Sequence, residues 1–268
     1  MSHAFNRLLP RALRVTLLAG AAIAAAGAAD AATLVGLTAD NHLVRIDSTT
    51  RRATAPMRVT GAEGRLLGID VRPADGKLYG VTDAGQIVTI DPANGRATQV
   101  SRLSERFESG GRAVVDFNPM ADRLRLVGMG GVNFRINVDT GAVTKDGQVK
   151  YQAGTAWADT TPRVTAGAYT NSLAGATATM LYTIDTLSRS LNLQAPPNDS
   201  VQQPRGELAA NLPVAVAFDI LTEGTTNTAM LLAGGTLHTV DLQSGKATPT
   251  GAVTGLPAAE VIDIAVLR

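Results

Sequence analysis

One unit recurs along this chain and limits what it can fold into. An apolar run ends in Asp, a short polar turn follows, and a small-residue strand comes next. It reads Ile46-Asp47-Ser48-Thr49-Thr50, Ile90-Asp91-Pro92-Ala93-Asn94-Gly95, Val138-Asp139-Thr140-Gly141, Ile184-Asp185-Thr186 and Val240-Asp241-Leu242-Gln243-Ser244-Gly245. The anchoring aspartates stand 44, 48, 46 and 56 positions apart. That spacing is the length of one four-stranded propeller blade.

Within a repeat the apolar residues alternate and turns divide the runs, a strand pattern. The second repeat shows four runs: Leu67 to Val71, Lys77 to Thr82, Gln86 to Ile90 and Arg96 to Arg102. Between the first two, Pro73 stops a strand and Gly76 reverses the chain. The third repeat predicts strands over 113–117, 123–127, 133–138 and 142–144, and the fifth over 214–220, 229–233, 236–241 and 247–250. The fourth predicts 164–170, 180–184 and 190–194, then a loop over 195–205. The stretches 145–163 and 195–211 have little strand character and read as long loops flanking that blade, where binding tends to reside.

The first repeat lacks a first strand and supplies only 34–38, 43–46 and 53–57. The missing strand stands at the other end, where Ile262-Asp263-Ile264 repeats Ile69-Asp70-Val71 and Phe218-Asp219-Ile220. The expectation is an all-β, five-bladed β-propeller with the C-terminal strand innermost in blade one, so that the ring closes and few edges stay exposed. A twenty-stranded outer-membrane barrel is the rival. It needs aromatic girdles, and only 4% of the residues are aromatic.

Residues 1–31 read as a cleaved signal peptide, with residues 32–268 as one propeller domain. Arg7, Arg11 and Arg14 precede the apolar run Val15 to Ala26, and Ala29-Asp30-Ala31 fits a cleavage site. The run is short for a membrane span. Cleavage removes three Arg and one Asp, so the 24 basic and 23 acidic residues become 21 and 22, a net charge of −1. No basic footprint for nucleic acid is left. With no Cys in the chain, stability rests on core burial, which some 237 residues can provide. A periplasmic or secreted monomer with no membrane span after cleavage is expected.

The stretches Gly68-Ile69-Asp70-Val71-Arg72-Pro73 with Gly76-Lys77-Leu78-Tyr79, and Asp116-Phe117-Asn118-Pro119 with Asp122-Arg123-Leu124-Arg125-Leu126-Val127, carry a resemblance. So do Ala168-Tyr169-Thr170-Asn171, Leu181-Tyr182-Thr183-Ile184-Asp185 and Gln194-Ala195-Pro196-Pro197-Asn198-Asp199. Through them the chain resembles an uncharacterised bacterial family, the domain of unknown function 4394. The resemblance implies an exported, propeller-like protein and carries no activity or catalytic residue with it.

Three groups of residues are candidates for chemistry. Asp70, Asp116, Asp219 and Asp263 share one position of the predicted innermost strands, while blade four has Ala168-Tyr169 there. Converging carboxylates either bind a hard cation such as Ca²⁺, with Asn118 as a neutral ligand, or share a proton. Alternatively each accepts backbone N–H bonds at a strand end. In blade three, alternation puts Arg123 and Arg125 on one side of a strand, and Asn133 and Arg135 on one side of the next. This polar face is either an anion-binding pocket or a buried salt-bridge network. The turn residues Asp47, Asp91, Asp139, Asp185 and Asp241 read as Asx-turn caps.

Other chemistry is sparse. His42 and His238 alone survive cleavage, without a metal-ligand spacing, and there is no nucleophile elbow. Trp157 is the single Trp, which argues against a quinone-cofactor propeller; with Tyr151 it either touches a sugar or peptide or covers the core edge. The sequence therefore points to a non-enzymatic module without a cofactor that binds a small molecule or a protein. The second reading is a Ca²⁺-dependent hydrolase of the lactonase or phosphotriesterase kind.

Overall fold

The computed structural model describes Met1 and residues 32–209, 213 and 215–267. The expected signal peptide and the expected strand start at Val214 lie outside the described residues, as do 210 and 211 of the second long loop and Arg268 at the chain end.

The strands form five separate sheets rather than one closed barrel sheet, and together they make a five-bladed β-propeller. Blade one holds β1 (Thr33–Thr38), β2 (His42–Asp47), β3 (Met57–Arg58) and, innermost, β21 (Val261–Leu267). Blade two is β4 (Leu66–Val71), β5 (Leu78–Thr82), β6 (Gln86–Ile90) and β7 (Ala97–Arg102). Blade three is β8 (Ala113–Asn118), β9 (Arg123–Gly128), β10 (Asn133–Ile136) and β11 (Val143–Lys145). Blade four has β13 (Val164–Tyr169), β14 (Leu181–Asp185), β15 (Ser190–Gln194) and β16 (Val201–Glu207), plus β12 (Lys150–Tyr151) on its outer edge. Blade five is β17 (Val216–Glu223), β18 (Thr226–Ala233), β19 (Thr236–Val240) and β20 (Ala247–Ala252).

The ring closes as the repeat predicts. β21 pairs antiparallel with β1, from Thr33 opposite Leu267 to Leu37 opposite Asp263. Two expectations fail. Residues 53–57 do not form a strand: isolated bridges hold Arg52 and Ala53, and β3 spans only two residues. Residues 195–205 are not all loop, because β16 runs through Pro204. The proline fits where the β15–β16 register slips between Leu191 and Asn192. It also lies beyond the short parallel pairing of β12 with Val201 and Gln202. Its missing N–H therefore removes no ladder bond on the outer side.

The core is divided among the blade interfaces, and these are unequal. Leu37, Ile69, Leu78 and Ile90 pack in the cluster between blades one and two. Val81, Phe117, Leu124 and Phe134 pack between two and three. Tyr182, Leu191, Phe218 and Leu231 lie between four and five, and Leu34, Ile46, Leu232 and Ile264 between five and one. The cluster joining blades three and four is only Val114, Val127, Val149 and Val164. The rest of that interface is polar and buried.

Candidate functional site

The four repeated aspartates sit on the innermost strands of blades one, two, three and five, and all are buried. Each reaches across to the next blade and accepts a backbone N–H there. Asp263 Oδ2 accepts from Ile69 at 2.9 Å, Asp70 Oδ2 from Phe117 at 2.7 Å, Asp116 Oδ1 from Tyr169 at 2.9 Å, and Asp219 Oδ2 from Val266 at 2.7 Å. Three of them also accept from the residue that follows: Val71 on Asp70, Ile220 on Asp219, and Ile264 on Asp263. The first contact needs Gly68, because a Cβ there would stand 2.7 Å from Asp263 Oδ2.

The same carboxylates crowd one another. One oxygen each from Asp70, Asp116 and Asp219 lies within 4.8 Å of the others; Asp263 is outside that trio. Burial, then the charges of Asp70 and Asp219, push the Asp116 carboxyl well above the usual carboxylate range. Burial likewise raises Asp263, against the backbone N–H of Ile69 that favours its charged form. The arrangement can hold one shared proton or a cation.

The polar face of blade three is built differently from the alternation alone. Arg125 is almost fully buried, and its guanidinium meets the Asp146 carboxylate at 2.5 Å. Arg135 reaches the same carboxylate with Nε at 2.8 Å and Nη2 at 2.9 Å. Arg125 also donates to Tyr169 Oη, Asn133 Oδ1 and Asn198 Oδ1, all at 3.0 Å. Asn133 in turn donates to Ser200 Oγ and to the Pro197 carbonyl. Asp146 thus occupies the place at the Arg fork where an external anion would sit. Arg123 stands apart, part-exposed, with Nη1 on the backbone carbonyls of Ala121 and Asp122.

Sequence reasoning missed Asp146, Asn198 and Tyr169 as partners, because they lie 21, 73 and 44 positions from Arg125 with no common spacing. It also missed Arg72. Its guanidinium grips Asp122 with Nε at 2.8 Å and Nη2 at 2.6 Å, and Asp139 with Nη1 at 2.9 Å, which ties blade two to blade three. That contact holds the Asp122 carboxyl below its usual range.

Of the turn aspartates, Asp47, Asp91, Asp185 and Asp241 accept N–H groups two or three residues on. Asp139 differs: its own N–H donates to Asn137 Oδ1, so Asn137 caps the turn while Asp139 serves Arg72. Tyr151 is buried, donates to Asp185 Oδ2 at 2.6 Å and lies beside Trp157, with ring centroids 6.3 Å apart. His42 Nδ1 and His238 Nδ1 each contact a backbone oxygen two residues earlier. No described helix is long and apolar enough to cross a membrane.

A repeated inner-strand Asp that staples neighbouring blades, on a ring closed by its last strand, defines a small all-β propeller. The family model described as Domain of unknown function (DUF4394) matches residues 42–265, and the chain belongs to that family. No curated protein matches it significantly. Among solved structures it is similar to a structural-genomics protein of unknown function from Bacteroides thetaiotaomicron. The identity is 14% and the TM-score 0.56, over 88% of this chain and 64% of that one. It is also similar to the β-propeller domain of Cps50 (Swd1) from Myceliophteria thermophila, at 13% identity and a TM-score of 0.45, over 85% of this chain and 66% of that one. In both cases the chain spans less than two thirds of the protein it matches. The first of these likenesses speaks for the fold alone.

Proposed function

We propose that this protein is an exported, non-enzymatic propeller that binds a ligand or protein partner outside the cytoplasm, in the periplasm or beyond it. One observation carries the reading. The side chains best suited to chemistry are committed to holding the ring: the four aspartates accept N–H groups of the next blade, and Arg125 and Arg135 share Asp146. Groups spent on inter-blade contacts leave recognition to the surface and the loops. The Arg123 and Arg125 face with Asn133 and Arg135 would take an external anion only by displacing Asp146.

A specific observation favours a second reading. Three carboxylate oxygens within 4.8 Å of one another can be spanned by one Ca²⁺, whose oxygen ligands lie at about 2.3–2.6 Å. Such an ion, held by Asp70, Asp116 and Asp219 near Asp263, would polarise a lactone or phosphotriester oxygen and activate water.

Thermal unfolding of the mature protein after chelation, with and without added Ca²⁺, separates the two. A cation that binds only the folded state raises the melting temperature as its concentration passes the dissociation constant. The binding reading expects no shift and no turnover of lactone or phosphotriester substrates. A rise that disappears in Asp116→Ala and Asp219→Ala, together with turnover, would replace it with the hydrolase.

A further inference from the structure

Between blades one and two the surface opens into a cleft of about 530 Å³, within the range that holds a small organic ligand. Its walls include Lys77, Leu78, Ile90, Asp91, Arg96 and Leu267. The turn after β4 supplies Lys77 and the turn after β6 supplies Asp91 and Arg96. Leu267, at the end of β21, comes from blade one. Leu78, 2% exposed, and Ile90, 3% exposed, belong to the buried cluster between these blades, and the half-buried Leu267 packs against it, so of the three Leu267 offers the most apolar surface.

The rim is positive. Lys77 and Arg96 are exposed, and among the described residues neither forms an ion pair. A third cation comes from blade one. Arg45, also without a carboxylate partner, donates Nη2 to the carbonyl of Pro92, itself a lining residue, at 2.9 Å. Asp91, the one carboxylate among the described lining residues, is turned into its own loop, where it accepts from the Ala93 N–H and Asn94 Nδ2. Among the described lining residues two cations face one anion, and Arg45 adds a further cation at Pro92, on a chain whose charge after the expected cleavage is −1, from 21 basic and 22 acidic residues. Elsewhere Arg72, Arg112, Arg125 and Arg135 are matched by carboxylates, while the half-buried Arg51 and Arg123 rest on backbone carbonyls.

We propose that this cleft binds a small amphipathic carboxylate, its head between Lys77, Arg96 and Arg45 and its hydrocarbon body against Leu267, over the buried Leu78 and Ile90. This rests on the reading of the protein as a binding module. A carboxylate satisfies two or three cationic donors at once through charge-assisted hydrogen bonds. The apolar end gains by leaving water, so neither half of the ligand alone should bind well.

The test uses the mature full chain and three probes titrated separately by calorimetry: decanoate below its micelle concentration, 1-decanol and acetate. Decanoate should bind saturably at one site, with decanol weaker by about tenfold or more for want of a charge-assisted contact, and acetate weaker by about tenfold or more for want of the hydrocarbon. The double variant Lys77→Glu with Arg96→Glu should weaken decanoate by at least about tenfold while leaving the unfolding midpoint unchanged, since both side chains are exposed. Thr98→Trp fills the cleft from β7 without touching a charge and should abolish binding. No saturable decanoate binding, equal affinity for decanol, or binding that survives either variant overturns the assignment. The calcium and hydrolase measurements decide the binding reading separately, so a negative decanoate titration removes the cleft and leaves that reading standing.

Discussion

Replacing Asp146 by Ala should be among the most damaging single changes available in this ring. The Asp146 carboxylate accepts from Arg125 at 2.5 Å and from two nitrogens of Arg135 at 2.8 and 2.9 Å. The Arg125 side chain is 1% exposed and the Asp146 side chain 4%. Removing one partner of a buried pair costs about 3–5 kcal/mol, because the other charge is left in a poor solvent. Arg125 would keep Tyr169, Asn133 and Asn198 as neutral acceptors, so the lower end, about 3 kcal/mol, is expected. In a chain of this size each kcal/mol lowers the melting temperature by about 2–4 °C, which makes the drop roughly 6–12 °C. Urea unfolding followed by far-UV circular dichroism gives the free energy, and calorimetry the temperature. The double variant Arg125→Met with Asp146→Ala removes both charges and should lose less than Asp146→Ala alone. A loss below about 1 kcal/mol for Asp146→Ala, the size of an exposed pair, would refute the claim that a stranded charge dominates. So would a double variant as damaged as the single one.

Other perturbations test the aspartate ring. Burial and its neighbours raise the Asp116 carboxyl above its ordinary 3.8, so in that window the folded state binds more protons than the unfolded one. The stability contributed is full below the ordinary value and is lost as pH rises through the raised one. Asp116→Asn keeps the Oδ1 acceptor for the Tyr169 N–H and removes the charge. The variant should melt higher than wild type at about pH 8 and vary less between about pH 5 and pH 8; equal slopes in calorimetry would contradict this. Gly68→Ala would put a Cβ 2.7 Å from both Asp263 Oδ2 and Val115 Cγ2. It should cost about 1–3 kcal/mol in urea unfolding, as overpacking does, and an unchanged midpoint would show that the two inner strands can separate without loss.

The fold was legible wherever burial on both sides of a strand imposed the pattern. The aspartate period and the match of Ile262-Asp263-Ile264 to Ile69-Asp70-Val71 located all five blades and the closing strand, because each inner strand meets the same neighbours. The outer strands were less legible. β16 packs its Gln202 against Thr183 and Gln194 rather than against apolar side chains, so its alternation carries no hydrophobic signal. β12 is two residues held by a parallel partner 51 positions away, as in Lys150 with Val201. At the candidate site the convergence of the aspartates followed from their shared repeat position. What each carboxylate touches did not, since that depends on the stagger between neighbouring inner strands. The partners of Arg125 lie 8, 21, 44 and 73 positions away and leave no periodic trace.

Blade four explains why the aspartate ring stops at four. Its inner strand has Ala168 and Tyr169 where a fifth carboxylate would stand, so the step from blade four to blade five lacks the Asp-to-backbone staple. Neutral groups make the link instead. Asn227 Oδ1 accepts the Asn171 N–H, Asn227 Nδ2 donates to Asn171 Oδ1, and Thr222 Oγ1 accepts the Ser172 N–H, at 2.8 to 3.0 Å. Asn171 takes a positive φ of 53°, a conformation that Asn tolerates better than most residues. A fifth buried carboxylate would have added repulsion to a group in which Asp116 already feels the other three. An amide pair closes the same gap without charge. The Tyr169 that replaces part of the pattern is also used: its N–H satisfies Asp116 and its hydroxyl accepts from Arg125. The irregular blade is therefore where the aspartate ring and the Arg125–Asp146 network meet. Tyr169→Phe should remove an acceptor from the Arg125 network while leaving the backbone N–H on Asp116, whereas a substitution at Asp70 or Asp263 should leave the Arg125 network intact.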